Sequence, residues 1–348
     1  MRPALRLAEA TITALWAASS AFRRATVLPE RQRNFALQVA RREFPCADHS
    51  VVALTLTGTN GAELPAWHPG AHIDVRLPSG RIRQYSLCGN PAVRGHYRIA
   101  VRRIPDGNGG SAEVHDELPV GSVIMTDGPR NAFPLAFPQH GSPAQRLRFI
   151  AGGIGITPIL PMVELAQQVG VNWSLIYLGR TAASMPFTDE LQVFGDRVDI
   201  RISSLAAVTV DQLIGQYPSS TAIYVCGPNG LLNSVEATLR AVDDGELHME
   251  RFAPPPLLGG KTFTATIASS GAVIHVGPEE TLLTALQRES IIVPFSCRQG
   301  FCGTCRTRVL AGRVEHRDGL LSDFERDSGM MLTCVSRAAE QEVIQLDL

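Results

Sequence analysis

The sequence predicts three folded units of different class in one chain: an antiparallel β-barrel, an α/β unit with a parallel sheet, and a small α+β unit. Three observations carry this. Residues 34–140 alternate short Val-, Ile- and Leu-rich runs with Gly, Pro and Asn, the texture of an antiparallel barrel. Residues 145–252 alternate strand-like and helix-like stretches, which implies a parallel sheet covered on both faces. Residues 262–348 hold four of the seven cysteines, three of them within "SCRQGFCGTC". Between the last two units, residues 253–261 read "APPPLLGGK", the composition of a linker.

The bulk numbers set limits first. A chain of 348 residues, 45% hydrophobic and 19% charged, suffices for two or three ordinary domains. The net charge of −1 gives the whole chain no pull toward nucleic acid or a membrane surface. Residues 1–33 contain "RLAEATITALWAASSAFRRA", with apolar residues at roughly helical spacing. Glu9 and several Thr and Ser interrupt it, and it is too short and polar to span a bilayer. It reads as a surface helix or an extension without an assigned role. The cysteines stand at 46, 88, 226, 297, 302, 305 and 334. Their number is odd and no secretory signal is evident, so the expected setting is the reducing cytoplasm, where clustered cysteines favour metal over disulfides.

In the first unit the strands are "ALQVARREF", "SVVALTLTG", "AHIDVRLPSG", "QYSLCG", "YRIAVRRI" and "SVIMTDGP". "GNGGSAEVHDEL" at 107–118 leads into a short helix. There Gly109, Gly110 and Ser111 would expose backbone N–H groups to a phosphate, though the loop alone also reads as a plain turn. In the second unit, "RLRFIAG", "WSLIYLGR", "DRVDIRISS" and "TAIYVCGP" are strands; "TPILPMVELAQQVG", "TVDQLIGQYP" and "NGLLNSVEATLRAV" are helices. "AGGIGITPIL" places Gly152, Gly153, Gly155 and Thr157 after the first strand, and Cys226, Gly227 and Pro228 follow the last. Both turns lie at carboxyl ends of parallel strands, where such sheets bind ligands. No histidine is placed to activate Cys226 as a nucleophile. Arg180 and Thr181 follow the second strand, and no acidic residue stands there to claim a ribose hydroxyl.

The third unit reads as a hairpin, the helix "ETLLTALQRES", the cysteine loop and a closing strand "EVIQLDL". The spacing is Cys297-x4-Cys302-x2-Cys305, with Cys334 after 28 further residues. A structural zinc site usually pairs two C-x2-C knuckles, and this chain has one. The x4-x2 spacing with a distant fourth cysteine is the plant-type [2Fe–2S] pattern. Gly300 and Gly303 give the loop the freedom to wrap a cluster.

These motifs are recognisable together. "PFSCRQGFCGTC" and "LTCVSRA" make residues 262–348 resemble a plant-type ferredoxin domain. "HRDGLLSDFERDSGMMLTCVSRA" further resembles the phthalate dioxygenase reductase and vanillate demethylase reductase family. The resemblance covers residues 34–348 and implies a flavin-binding barrel, a Rossmann-like NAD-binding domain and a β-grasp ferredoxin domain. "RQYSL" matches that superfamily's R-x-Y-S motif, which implies that Tyr85 packs on the flavin ring, Ser86 bonds near its reactive edge, and Arg83 meets phosphate. The G-G-S loop implies FMN, with FAD as the rival. The glycine turn and the C-G-P turn imply NADH or NADPH, with Arg180 near the adenosine ribose. Ser86, Cys226 and Glu250, the last in an E-x-F match, are the candidate catalytic residues.

The function implied is a one-electron-splitting reductase for a terminal oxygenase, of Rieske non-haem iron type or, alternatively, a cytochrome P450. A redox-sensing flavin and iron–sulfur interaction protein is the reading from another class. The chain is expected to be a monomer, without nucleic-acid partner or membrane insertion.

Overall fold

The computed structural model of the protein describes residues 34–61, 63–105, 109–138, 141–203, 209–215, 220–240, 246–252, 259–295, 298–300, 303–318, 320–339 and 343–348. Residues 1–33, Cys297 and Cys302 lie outside them.

Six strands, β1 (Asn34–Glu43), β2 (Val51–Gly58), β3 (Ala71–Arg76), β4 (Ile82–Ser86), β5 (His96–Arg102) and β6 (Val123–Asn131), form one antiparallel sheet in the order β4-β3-β6-β1-β2-β5. A bridge from Leu87, just past β4, to Ile99 on β5 joins the two edges into a barrel. Alternate side chains point inward: Leu37 and Val39, Val52, Leu54 and Leu56, and Ile73 and Val75 are all fully buried. A short helix, α1 (Gly110–Glu117), is tied to the barrel by Arg42, which donates to the carbonyls of Val114, His115 and Leu118.

After a short paired stretch, β7 (Phe137–Pro138) with β8 (Gly141–Ser142), the chain alternates. It runs β9 (Arg146–Gly152), α2 (Ile156–Gln168), β10 (Asn172–Gly179), α3 (Thr188–Gln192), β11 (Val198–Ile202), α4 (Val210–Ile214), β12 (Thr221–Cys226), α5 (Asn229–Arg240) and β13 (Glu246–Glu250). The sheet order is β11-β10-β9-β12-β13 and every pairing is parallel. Leu147, Phe149 and Tyr224 pack with α2 on one face; Ile150, Ile223 and Val225 pack with α5 on the other. The chain leaves β9 toward β10 and returns on its other side with β12, so the switch point lies between β9 and β12.

β13 is absent from the sequence reading, which placed Glu250 in an E-x-F match at the end of the second unit without assigning a strand. Its residues Glu246, His248 and Glu250 are polar and all five positions are half-buried. An edge strand paired only with β12 has no need of the apolar run that marks the inner strands.

The last unit contains β14 (Phe263–Ile267), β15 (Val273–Val276), α6 (Leu282–Arg288), β16 (Arg306–Ala311), β17 (Val314–Glu315), α7 (Asp323–Asp327), β18 (Met330–Leu332), β19 (Arg337–Ala338) and β20 (Val343–Leu346). Its five-stranded sheet, β15-β14-β20-β16-β18, is mixed, with β14 and β20 parallel. Leu282, Leu283 and Leu286 of α6 bury against Phe263, Ile274 and Ile344 in one core.

The barrel and the parallel sheet are locked together. Arg98 on β5 donates to both carboxylate oxygens of Glu190 on α3, at 2.9 and 2.7 Å, and lies 4.5 Å over the Phe187 ring. Arg102 donates to the Ser184 carbonyl at 2.6 Å, and backbone bonds join Asp48 to Ala183 and Phe187 to Pro45.

Behind the switch point the two glycine turns touch backbone to backbone. A Cβ on Gly155 would lie 2.3 Å from the Cys226 carbonyl oxygen, and one on Gly227 would lie 3.0 Å from the Gly152 Cα. Gly155→Ala is therefore expected to cost about 1–3 kcal/mol by overpacking. Gly153→Ala, whose added Cβ meets nothing within 4 Å but sits at φ 55°, should cost about 1 kcal/mol. Thermal melts of both variants check this; a smaller loss at Gly155 would contradict the close approach.

Candidate functional site

A cleft of about 510 Å³ opens where the three units meet, within the usual range for a small-molecule or cofactor site. The barrel supplies one wall, Arg83, Gln84, Tyr85 and Ser86 of β4 with His72 and Asp74 of β3. The parallel sheet supplies Ile154, Thr157 and the end of β13, Met249 to Phe252. The cysteine-loop segment supplies Phe295, Arg298 and Gln299.

Alternation along β4 sorts its side chains. Tyr85 packs on the barrel core and burial pushes its hydroxyl pKa up, leaving a flat neutral surface toward the cleft. Arg83 projects beside α1. A Cβ on Gly110 would lie 2.5 Å from the Arg83 Nε, and Gly109 adopts a left-handed conformation, φ 76°. Glycine here brings the start of α1 against a guanidinium, so Gly110 and Ser111 line the cleft next to a cation. A phosphate fits this cradle, and an aromatic ring system fits the wall beside it. Arg298 adds a second guanidinium, 4.4 Å over the Phe295 ring.

Ser86, Cys226 and Glu250, distant in sequence, converge at the switch point. The Ser86 hydroxyl donates to Glu250 Oε2 over a long 3.4 Å, and the Cys226 thiol lies 4.0 Å from the same oxygen. Burial raises the Cys226 thiol pKa well above its ordinary value, and the Glu250 carboxyl adds to it, so the thiol stays neutral. Burial also pushes Glu250 up to about 8, opposed by the Ser86 hydrogen bond. Gly152, Gly153, Gly155, Gly227 and Pro228 build the paired turns beneath this group. Thr157 lines the cleft while its hydroxyl donates to the Ile154 carbonyl at 3.0 Å. Arg180 is exposed past the end of β10, away from the cleft.

In the small unit, β16 pairs antiparallel with β18, Arg306 opposite Leu332. One step outward the ladder brings Cys305 beside Thr333, whose N–H donates to the Cys305 carbonyl at 3.3 Å. Cys305 and the following Cys334 are both buried at this end of the sheet. Gly300 and Gly303 take φ of 80° and 71°, the left-handed turns that let a short loop curl. Among the described residues, two buried thiols, Cys305 at the end of the curled loop and Cys334 across the ladder, suit part of an iron–sulfur donor set.

The comparisons with known proteins agree with this geometry. Residues 36–134 match the family described as oxidoreductase FAD-binding domain, and residues 265–339 the 2Fe-2S iron-sulfur cluster binding domain. Phenoxybenzoate dioxygenase subunit beta of Ectopseudomonas oleovorans is 41% identical over 291 residues, 82% of this chain and 89% of that one. Vanillate O-demethylase oxidoreductase of Pseudomonas sp. (strain HR199 / DSM 7063) is 37% identical, over 86% of this chain and 95% of that one. The solved phthalate dioxygenase reductase, described as a modular structure for electron transfer from pyridine nucleotides to [2Fe–2S], matches with a TM-score of 0.67 and 31% identity. That match covers 92% of this chain and 99% of that one. This chain belongs to the phthalate dioxygenase reductase family. Like that family, it is an oxidoreductase that uses a flavin and a [2Fe–2S] cluster. Full-length CYP116B46 of Tepidiphilus thermophilus also matches, with a TM-score of 0.70 and 37% identity; this chain covers 42% of its length.

His72, Asp74, Gln84, Arg251, Phe295, Arg298 and Gln299 line the cleft without having been singled out in the sequence. For the barrel residues no motif signals it; the strand pairing of β3 with β4 does. Arg298 and Gln299 stand inside the cysteine loop, where the spacing of the thiols draws the eye from the residues between them.

The folded pKa of Glu250 lies above its ordinary 4.5. Its neutral form therefore contributes stability that is whole below pH 4.5 and fades as the pH rises through about 8. Glu250→Gln keeps a neutral group and should remove this dependence. Between about pH 5 and pH 8.5 the Tm of the variant is expected to rise relative to wild type. Parallel Tm curves would refute a buried neutral carboxyl.

Proposed function

We propose that this protein is the NAD(P)H-dependent reductase component of a multicomponent oxygenase, passing electrons to a Rieske-type non-haem iron oxygenase. The observation that carries the reading is the cleft itself, to which the R-Q-Y-S strand, the end of β13 and the cysteine loop each contribute a wall. The proposed units are the flavin-binding barrel, residues 34–140; the NAD(P)H-binding domain, 145–252; a linker, 253–261; and the ferredoxin domain, 262–348. FMN is the proposed flavin, with FAD as the rival, because Gly109, Gly110 and Ser111 match the G-G-S loop that the family resemblance assigns to the FMN phosphate. Cys297, Cys302, Cys305 and Cys334 are the proposed cluster ligands.

When bound, the flavin accepts a hydride and the cluster carries single electrons, so together they convert a two-electron donor into a one-electron supply. The chain's residues arrange that conversion. Arg83 with the Gly109–Ser111 backbone would bind the phosphate, and Tyr85 would orient the ring against the barrel. Ile154 of the first paired turn and the following Thr157 face the cleft, where a nicotinamide would lie at the switch point. Glu250 holds a proton beside the Ser86 hydroxyl, and the neutral Cys226 thiol keeps added negative charge away. Arg180 is proposed to meet the adenosine end, with NADH the favoured donor. A cytochrome P450 as acceptor is the second reading, favoured by the likeness to CYP116B46.

Three experiments test this. Anaerobic titration of the protein with NADH and NADPH, followed by visible absorption and low-temperature EPR, should bleach the flavin and raise a rhombic [2Fe–2S] signal; the released flavin should be FMN. A cluster signal that needs dithionite would sink the electron path and favour a redox sensor. Cys302→Ser should lose the cluster yet keep NAD(P)H-to-dye activity; collapse of dye reduction would overturn the modular arrangement. Arg180→Ala should change the NADPH/NADH preference, read as the ratio of kcat/KM values; an unchanged ratio removes Arg180 from ribose recognition.

A further inference from the structure

The cysteine loop is attached to the end of β13 by one side chain. The Arg251 N–H donates to Gln299 Oε1 at 3.1 Å, and Gln299 Nε2 donates back to the Arg251 carbonyl. A side-chain amide thus takes the place of a strand residue and makes the reciprocal pair of an antiparallel ladder. Both ends of the contact are fixed. The Arg251 side chain is 8% exposed; it donates to Asn233 Oδ1 at 2.9 Å and to Glu236 Oε2 at 3.2 Å, both on α5. Gln299 lies between Arg298, which stacks on Phe295, and Gly300, whose left-handed φ leaves a Cβ only 2.8 Å from Val335. The residue before Arg251 is Glu250, in contact with Ser86 on the barrel.

We propose that Gln299 is a positioning residue that docks the cysteine loop on the Arg251 backbone and so sets the separation between flavin cleft and cluster. The assignment rests on the flavin and cluster placement above. It follows from geometry: the pair is two-way, one partner is anchored in the parallel sheet, and the other lies two residues from Cys297 and three from Cys302. Electron transfer weakens steeply as two redox partners separate, so a loosened loop slows cluster reduction while leaving flavin reduction by the nicotinamide untouched. The pair also shields the Arg251 amide from solvent.

The test uses the full-length holoprotein with Gln299→Ala and Gln299→Glu; the second keeps the acceptor for the Arg251 N–H and loses the donor. Stopped-flow mixing with NADH reads flavin reduction and cluster reduction separately, and hydrogen–deuterium exchange reads the Arg251 amide. For Gln299→Ala the ratio of cluster-reduction rate to flavin-reduction rate should fall severalfold. Arg251 exchange should quicken by about tenfold or more, with the EPR line shape and iron content retained; Gln299→Glu should fall between. An unchanged rate ratio overturns the proposal, whether or not Arg251 exchange quickens. If Gln299→Ala loses the cluster, Asn233→Ala with Glu236→Gln loosens the anchor from the α5 side without touching the loop, and the same ratio decides. Failure of wild type to reduce its flavin with NADH would instead overturn the functional reading; Arg251 exchange in Gln299→Ala would still report on the docking pair.

Discussion

The structure turns on the backbone contact between two turns at the switch point of the parallel sheet. Gly155 and the Cys226 carbonyl approach so closely that no side chain fits between them. That contact brings the carboxyl ends of β9 and β12 to one edge, and β13, registered on β12 from Ala222–Glu246 to Cys226–Glu250, adds its own end to the same line. Everything reactive in the candidate site then follows from which residues the chain places just at or beyond those ends.

A second constraint is electrical. The site collects a buried thiol and a half-buried carboxyl within 4.0 Å of each other, and an ionised pair there would be costly. Burial resolves this by holding both groups neutral near physiological pH. Of the four arginines that line the cleft, Arg83 and Arg102 stand on the barrel and Arg298 on the loop, while Arg251 beside Glu250 is ion-paired with Glu236. The cleft thus separates a cationic end suited to a phosphate from an uncharged end suited to hydride chemistry.

Much of this was legible in the sequence, for reasons that differ by element. The inner strands β9, β10 and β12 are buried on both faces and announce themselves as apolar runs. The cysteine spacing is legible because a cluster demands thiolates at fixed reach. Arg83, Tyr85 and Ser86, which the R-Q-Y-S motif places at a flavin, line the cleft, and Glu250 joins Ser86 although its strand went unread. β13 escaped because an edge strand bonded on one side tolerates Glu, His and Glu at alternate positions. Gln299 and Arg251 escaped because their partnership spans 48 residues and uses a backbone, which leaves no side-chain pattern to read. His72 and Asp74 reach the cleft only through the pairing of β3 with β4, information that no local window contains.

The barrel and the parallel sheet are joined by a forked ion pair, a cation–π contact and several backbone bonds, and they behave mechanically as one chassis. The cysteine-bearing unit, among the described residues, meets that chassis at the cleft rim, chiefly through one amide pair and the wall made by Phe295 and Arg298. A joint of this kind, among the described residues, on a body so firmly assembled is the architecture of an interchangeable tool head. A different electron carrier could be grafted there by reproducing a single strand-like handshake, without redesign of the machinery that loads it.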